Sequence, residues 1–343
     1  MREINSGKKL LYHYRPLNKL EHLDHLKNFL NQKIWFTRMD KLNDPFESYA
    51  ALVKPTPDQI LESPFVFNEY YQFSKKENPQ LSEKELRKTI KENKDKLTFK
   101  NNFTWVEDEF KKYGISCFSD SSSNIPMWSH YADYHRGYCV VFELDIEKIR
   151  TSYFPDLASK QFDEYVENIF SPFSEDKQEI FSFCQSEDDD KKLIFTKVIY
   201  TDNFPEMHVV KFIELNKKNN HYEMAEYIAK NCLGRKFKQW AYEEEYRLIV
   251  NTNSEQSDLL DLRGYPFLKV TKIIMGEKLG QSIDIGLEKC IPQYDVPFTR
   301  NLSTKERDFK HFVASLAKEK NIEVELAKSA KNEYKITSEK YQF

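Results

Sequence analysis

Scarcity of glycine constrains this chain more than any other feature. Eight glycines occur among 343 residues, at positions 7, 114, 137, 234, 264, 276, 280 and 286. Average usage of about 7% would give roughly three times as many. Glycine lets a backbone approach a phosphate closely and adopt positive φ, so the common nucleotide cradles carry it at fixed spacing. No window here reads Gly-x-Gly-x-x-Gly, and no Gly-Lys-Ser/Thr closes a phosphate loop. The Gly-x-Ser-x-Gly elbow of hydrolases is missing too. If this chain holds a nucleotide, it does so with side chains rather than a glycine cradle.

Lys+Arg 52 against Asp+Glu 55 gives a net charge of -3, which excludes a globally basic nucleic-acid binder and leaves room for a local patch. Residues 1–41 hold nine Lys/Arg against four Asp/Glu, a weak pointer to a phosphate-bearing ligand. The five cysteines (Cys117, Cys139, Cys184, Cys232, Cys290) form no C-x-x-C pair, so no metal site is expected. Neither a secretory leader nor an apolar run of about 18 residues is found. The expectation is a cytoplasmic protein with no membrane contact.

Aromatic residues reach 15%, with 26 Phe and 20 Tyr, enough for a large core. The pattern predicts a strand over 10–15 and a helix whose apolar positions (Leu20, Leu23, Leu26, Phe29, Leu30) are spaced by three and four. A strand over 34–38 precedes a turn at Asn43–Pro45. Residues 52–112 read as a charged helical insertion in which Ser82 and Glu85 form a capping box. Strands are expected over 113–119 and 138–144, around a helical turn at 126–132. Residues 150–192 read as a second helical insertion. Strands over 193–200, 242–250 and 270–275 and a helix over 207–231 follow. The segment 299–343 gives a helix and two strands, 322–326 and 333–337. Scattered strands favour α+β over a doubly wound sheet, and 1–343 reads as one elaborated domain.

Three constellations could carry chemistry. Glu243, Glu244 and Glu245 stand together before Arg247 in an otherwise apolar strand, against β propensity. Alternation puts Glu243, Glu245 and Arg247 on one face, an acid/base and charge-stabilising unit or an exposed face with a cross-strand ion pair. Trp128, Tyr131, His135 and Arg136 lie within nine residues, suited to a planar ring and a phosphate, or to a helix packed on the core. Tyr14 and Arg15 end the first strand, where a guanidinium fork matches phosphate oxygens. Asn43 and Asp44 either make the turn or hold sugar hydroxyls.

Taken together, Leu11–Arg15 (LYHYR), Ile34–Thr37 (IWFT) with Leu42–Glu47 (LNDPFE), Ile115–Ser119 (ISCFS), Met127–Ala132 (MWSHYA) with His135–Gly137 (HRG), and Lys236 with Trp240–Arg247 (WAYEEEYR) resemble a widespread bacterial family of unknown function. The likeness covers about 10–50, 113–145 and 193–276. The order of elements is also similar to ADP-ribosyltransferases, above all the bacterial toxins that modify DNA bases. That resemblance implies a split mixed β-sheet with helical insertions, whose cleft takes NAD as substrate without a glycine motif.

It further implies roles. Glu245 stabilises the oxocarbenium-like ribose and Glu243 orients or deprotonates the acceptor, with Arg247 beside them. Arg15 grips the pyrophosphate, Tyr131 or Trp128 stacks on a ring, and Ser119 supports the glutamate. The acceptor is nucleic acid or protein, and the setting a toxin or antiphage effector with a cognate antitoxin or defence partner. A NAD glycohydrolase and a non-catalytic nucleotide-sensing module remain alternatives.

Overall fold

A computed structural model describes residues 7–42, 44, 50–94, 104–170, 180–183, 193–218, 221–251, 259–291, 302–330 and 333–342. The chain opens with β1 (Lys8–Arg15), α1 (Leu20–Leu30), β2 (Lys33–Trp35), β3 (Thr37–Arg38) and β4 (Ala51–Val53). The first insertion supplies α2 (Pro57–Glu62), α3 (Pro64–Glu77), α4 (Glu83–Glu92) and α5 (Thr104–Phe110). Next come β5 (Tyr113–Ser119), α6 (Ile125–His130) and β6 (Tyr138–Asp145), then α7 (Ile146–Tyr153) and α8 (Ser159–Phe170). Further on lie β7 (Ile180–Phe183), β8 (Leu193–Lys197), β9 (Ile199–Thr201) and β10 (Glu206–His208). They lead to α9 (Val209–Lys217), α10 (His221–Ile228), β11 (Arg235–Phe237) and β12 (Glu245–Asn251). The chain continues through β13 (Leu259–Asp261), β14 (Leu268–Met275), α11 (Ile285–Glu288), α12 (Leu302–Glu319), β15 (Glu323–Ser329) and β16 (Ile336–Lys340).

Ten strands form one mixed sheet in the order β16-β15-β14-β6-β1-β5-β12-β8-β7, with β3 added to β5. Only β14 and β15 run parallel in it; the other pairs are antiparallel. Strand alternation sends Leu11, Phe118, Phe142, Tyr246 and Leu248 to one face, where α1, α8 and α12 complete the larger core. Ile115, Ile194 and Ile249 point the other way, onto a second core with the helices of the first insertion, α9 and α10. A smaller cluster on that same face gathers Tyr14, Trp128, Cys139 and Val141. The architecture is therefore mixed α+β, with helices on both faces of a large mixed sheet.

Local signals in the sequence account for much of this. In α1 the three-and-four spacing buries Leu23, Leu26, Phe29 and Leu30. At the start of α4 the Ser82 side chain accepts from the Glu85 backbone while Glu85 caps Ser82 in return. Other boundaries differ from expectation for tertiary reasons. The strand expected over 193–200 breaks at Val198, whose N–H donates to Glu245 O while that of Ile199 donates to Gly234 O; the chain changes pairing partner there. The helix expected over 207–231 becomes α9, α10 and a π-type turn, Ala229–Leu233. The insertion expected to be helical over 150–192 contributes a strand, β7, to the sheet edge. The last strand runs over Ile336–Lys340 instead of 333–337, because its register is set by pairing with β15.

Candidate functional site

The sheet has one weak junction. β1 and β5 share a single register pair, Tyr12 opposite Ser119, whereas β1 pairs with β6 along its whole length. At its far end β5 takes β3 as partner instead, through Ile115–Thr37 and Gly114–Arg38. A cavity of about 290 Å³ occupies this junction. Its walls are Tyr12 to Arg15 of β1, Trp35, Thr37, Lys41 and Leu42, Ile115 to Phe118 of β5, Met127 and Tyr131, and Lys236, Glu243 and Glu245.

Register decides which residues can meet there. Tyr12, Ser119 and Glu245 stand in one row across β1, β5 and β12 and share a face. Arg15, three residues on from Tyr12, belongs to the opposite face. A continuous sheet would keep Arg15 and Glu245 apart. They line one cavity because it sits where β1 and β5 part, so residues of both parities reach it from each strand.

The acidic motif is held from three directions. Glu243 ends a 3-10 turn, Lys238–Glu243, and Glu244 follows in the left-handed region at φ 46. β12 therefore starts at Glu245, not at Tyr242 as the sequence suggested. The left-handed residue kinks the chain and turns Glu243 to the same side as Glu245. Lys236 bridges the two carboxylates, its Nζ donating to Glu243 Oε2 at 2.6 Å and Glu245 Oε2 at 3.1 Å. Arg247 donates from Nε to Glu245 Oε1 at 2.7 Å and from Nη1 to the carbonyl of Leu233 at 2.5 Å. The π-type turn thus presents its last carbonyl to a fully buried guanidinium. The hydroxyl of Tyr131 donates to Glu243 Oε1 at 2.5 Å, and the Glu245 N–H donates to Tyr200 Oη at 2.8 Å.

These contacts separate the two carboxyls. Burial and the neighbouring Glu245 charge push Glu243 up to about 7, against the opposing pull of Lys236 and Tyr131. Burial acts on Glu245 in the same direction, yet Arg247 and Lys236 outweigh it and hold its carboxyl well below the usual carboxylate range. Near neutral pH the motif therefore contains one fixed anion and one group that can take or give a proton. Glu243, to which the resemblance assigns orientation or deprotonation of the acceptor, is the one whose carboxyl is raised.

Tyr131 reaches Glu243 because of the turn that follows α6. The Asn124 side chain caps α6, its Oδ1 accepting from Met127 N at 3.2 Å, and its amide also donates to the Tyr242 carbonyl. After Tyr131 come three consecutive left-handed residues, Asp133, Tyr134 and His135, with φ of 47, 55 and 68. Such conformations cost about 1–2 kcal/mol each, and specific contacts offset them. Asn18 and Arg136 both donate to the Asp133 carboxylate, at 2.7 and 2.8 Å. The His135 ring stacks on Trp128, centroids 5.9 Å apart.

On the opposite wall, burial and the Arg15 charge lower His13 to about 3. Its Nδ1–H donates to Cys117 O at 2.6 Å, which leaves Nε2 as a buried acceptor without a partner among the described residues. Arg15 Nε and Ser116 Oγ are likewise buried and unpartnered among them.

The cavity brings together Tyr14, Arg15, Tyr131, Glu243 and Glu245 of the residues singled out in the sequence. Arg247 reaches it through Glu245. Trp128 is fully buried, its indole N–H donating to Ser122 O at 2.8 Å; both it and His135 are used in packing, so a ligand-stacking role for Trp128 is corrected. Ser119 is a buried sheet residue opposite Glu245, and Arg136 braces the turn. Asp44 lies off the cavity wall, and Asn43 lies outside the described residues. Lys236, His13 and Ser116 stand inside the motifs quoted from the sequence but received no role there, and all three line the cavity. A lysine nine residues ahead of a carboxylate carries no periodic signal, and pairing alone selects it.

Residues 127–248 match a family described as a protein of unknown function (DUF2971). That DUF2971 stretch holds the Tyr131 turn and the whole Lys236–Arg247 cluster. No significant match was found among curated proteins or among solved structures. No helix among the described residues is long and apolar enough to cross a membrane.

Proposed function

We propose that this cavity cleaves the N-glycosidic bond of NAD and transfers the ADP-ribosyl group, in the manner of the ADP-ribosyltransferases whose element order the sequence resembles. One observation carries the proposal. A carboxyl pushed up to about 7 stands beside one that Arg247 and Lys236 hold well below the usual carboxylate range, in the same cavity as an arginine with no ion pair among the described residues. Loss of nicotinamide leaves positive charge on the ribose, and the fixed Glu245 carboxylate stabilises it electrostatically. Glu243, deprotonated, takes the proton of the attacking acceptor, and Tyr131 orients it. Arg15 supplies the positive pole for phosphate. A junction at which the strands part supports the split-sheet arrangement, and nucleic acid or protein is the acceptor class, in a toxin or antiphage setting.

The test is incubation with NAD labelled on the adenylate side, with DNA, RNA or cell lysate as acceptor. Nicotinamide release together with macromolecule labelling is expected. Glu243→Gln should lower turnover by on the order of 10²–10⁴, and wild-type turnover should climb as pH rises through about 7, because the base must be ionised. Nicotinamide release without labelled macromolecule would indicate water as acceptor. Binding without any release would leave only a nucleotide sensor.

A further inference from the structure

Of the cations on the cavity wall, Arg15 has a buried donor without a partner among the described residues. Lys236 is engaged by Glu243 and Glu245, and Lys41 is exposed. Arg15 is half-buried and has no ion pair among the described residues; its Nε is buried without a partner among them, and loss of water around the guanidinium lowers its pKa, so the group is left short of counter-charge. Around the same space lie two more orphaned atoms, the Ser116 hydroxyl and His13 Nε2. A hydroxyl can donate to a phosphate oxygen, and a tautomer fixed by the Cys117 carbonyl makes Nε2 an acceptor for a sugar hydroxyl. The volume, about 290 Å³, falls at the floor of the roughly 300–1,000 Å³ typical of small-ligand pockets.

From these three unpartnered polar atoms and this size we infer that the ligand is a mononucleotide-sized N-riboside carrying one phosphate. The phosphate sits at Arg15 and the glycosidic carbon at Glu243. The inference rests on the glycosidic cleavage proposed above and narrows its substrate. Of NAD, the nicotinamide mononucleotide half fills the cavity and the adenylate half lies outside, so nicotinamide mononucleotide is itself a substrate. In the reaction the C1′–N bond breaks with its electron pair leaving on the ring nitrogen, which quenches the pyridinium charge. The acceptor oxygen forms the new C1′–O bond, and its proton passes to the Glu243 carboxylate.

The experiment compares nicotinamide release by the full-length protein from nicotinamide mononucleotide, NAD and nicotinamide riboside, with water and with the acceptors above. The mononucleotide should be cleaved with a kcat/KM at least equal to that for NAD. It should exceed the riboside by on the order of tenfold to a hundredfold, the worth of a charge-assisted contact. In Arg15→Ala that preference for the phosphorylated substrate collapses. If the variant does not fold, the wild-type substrate series decides alone. Cleavage of NAD with the mononucleotide untouched overturns this inference and leaves the transferase proposal standing. Equal cleavage of riboside and mononucleotide overturns the placement of phosphate at Arg15. Cleavage of none overturns both.

Discussion

At the residue scale, three adjacent glutamates behave in three different ways because their surroundings differ. Glu244 is exposed at a left-handed kink, Glu245 is clamped by Arg247 and Lys236, and Glu243 is held between Lys236 and Tyr131. The raised Glu243 carboxyl binds its proton more tightly in the folded chain than in the unfolded one. That contribution to stability is complete below the ordinary glutamate range near 4.5 and is lost as pH rises through about 7. Glutamine cannot ionise and escapes the loss. Glu243→Gln should therefore gain on the wild type between pH 5 and pH 8, by on the order of 1–3 kcal/mol. The readout is the difference in Tm across that range; a difference that stays constant with pH would show that the carboxyl is not raised. The sequence disclosed that this motif was anomalous, since like charges crowd an apolar strand. Which carboxyl is raised follows from burial and from Arg247, which pairs with Glu245 and leaves Glu243 beside that charge, and no spacing in the chain shows how deeply each carboxyl is buried.

At the element scale, the segment joining α6 to β6 is a lock between two strands and a turn. Gly137 packs so tightly that a Cβ there would lie 2.1 Å from the Arg15 carbonyl and 2.9 Å from Pro16 Cα, and a Cβ on Gly276 would lie 2.2 Å from the His135 carbonyl. Both obstacles are backbone and cannot swing aside. Gly137→Ala should cost about 1–3 kcal/mol or more as overpacking and should displace Arg15 and Tyr131 together. Thermal unfolding measures the first effect. Loss of phosphate-ligand affinity at temperatures where the variant is still folded measures the second, and a variant as stable as wild type would refute the packing argument. The helix and strand patterns around this lock were legible in the sequence: β1, α1, β5 and β6 form close to where periodicity places them. The left-handed run Asp133–His135 was not, because three non-glycine residues enter that region only when side-chain contacts from Asn18, Arg136 and Trp128 hold them there.

At the scale of the whole molecule, one sheet separates two large cores, and its C-terminal edge depends on a late segment. β15 pairs with the apolar β14, and α12 inserts Phe309, Val313, Ala314 and Ala317 into the larger core. Removal of residues 302–343 would bare both the β14 edge and the core surface that α12 covers, conditions that favour edge-to-edge association. The truncated chain should be aggregated on size-exclusion chromatography while the full chain is not. A well-behaved, folded truncation would show the tail to be dispensable for the sheet.

Periodicity, glycine scarcity and the crowded glutamates are local properties. By themselves they determined that this chain is mixed α+β, that it carries no glycine cradle, and that Arg15 and the Glu243–Glu245 motif were the positions to watch. The tertiary structure alone decided that these positions meet. Alternation assigns Arg15 and Glu245 to opposite faces, and only the parting of β1 from β5, with β3 taking over the far end of β5, opens a space that both can line. Strand pairing between residues more than a hundred positions apart depends on how the whole sheet closes its hydrogen bonds, and no window of sequence contains that information.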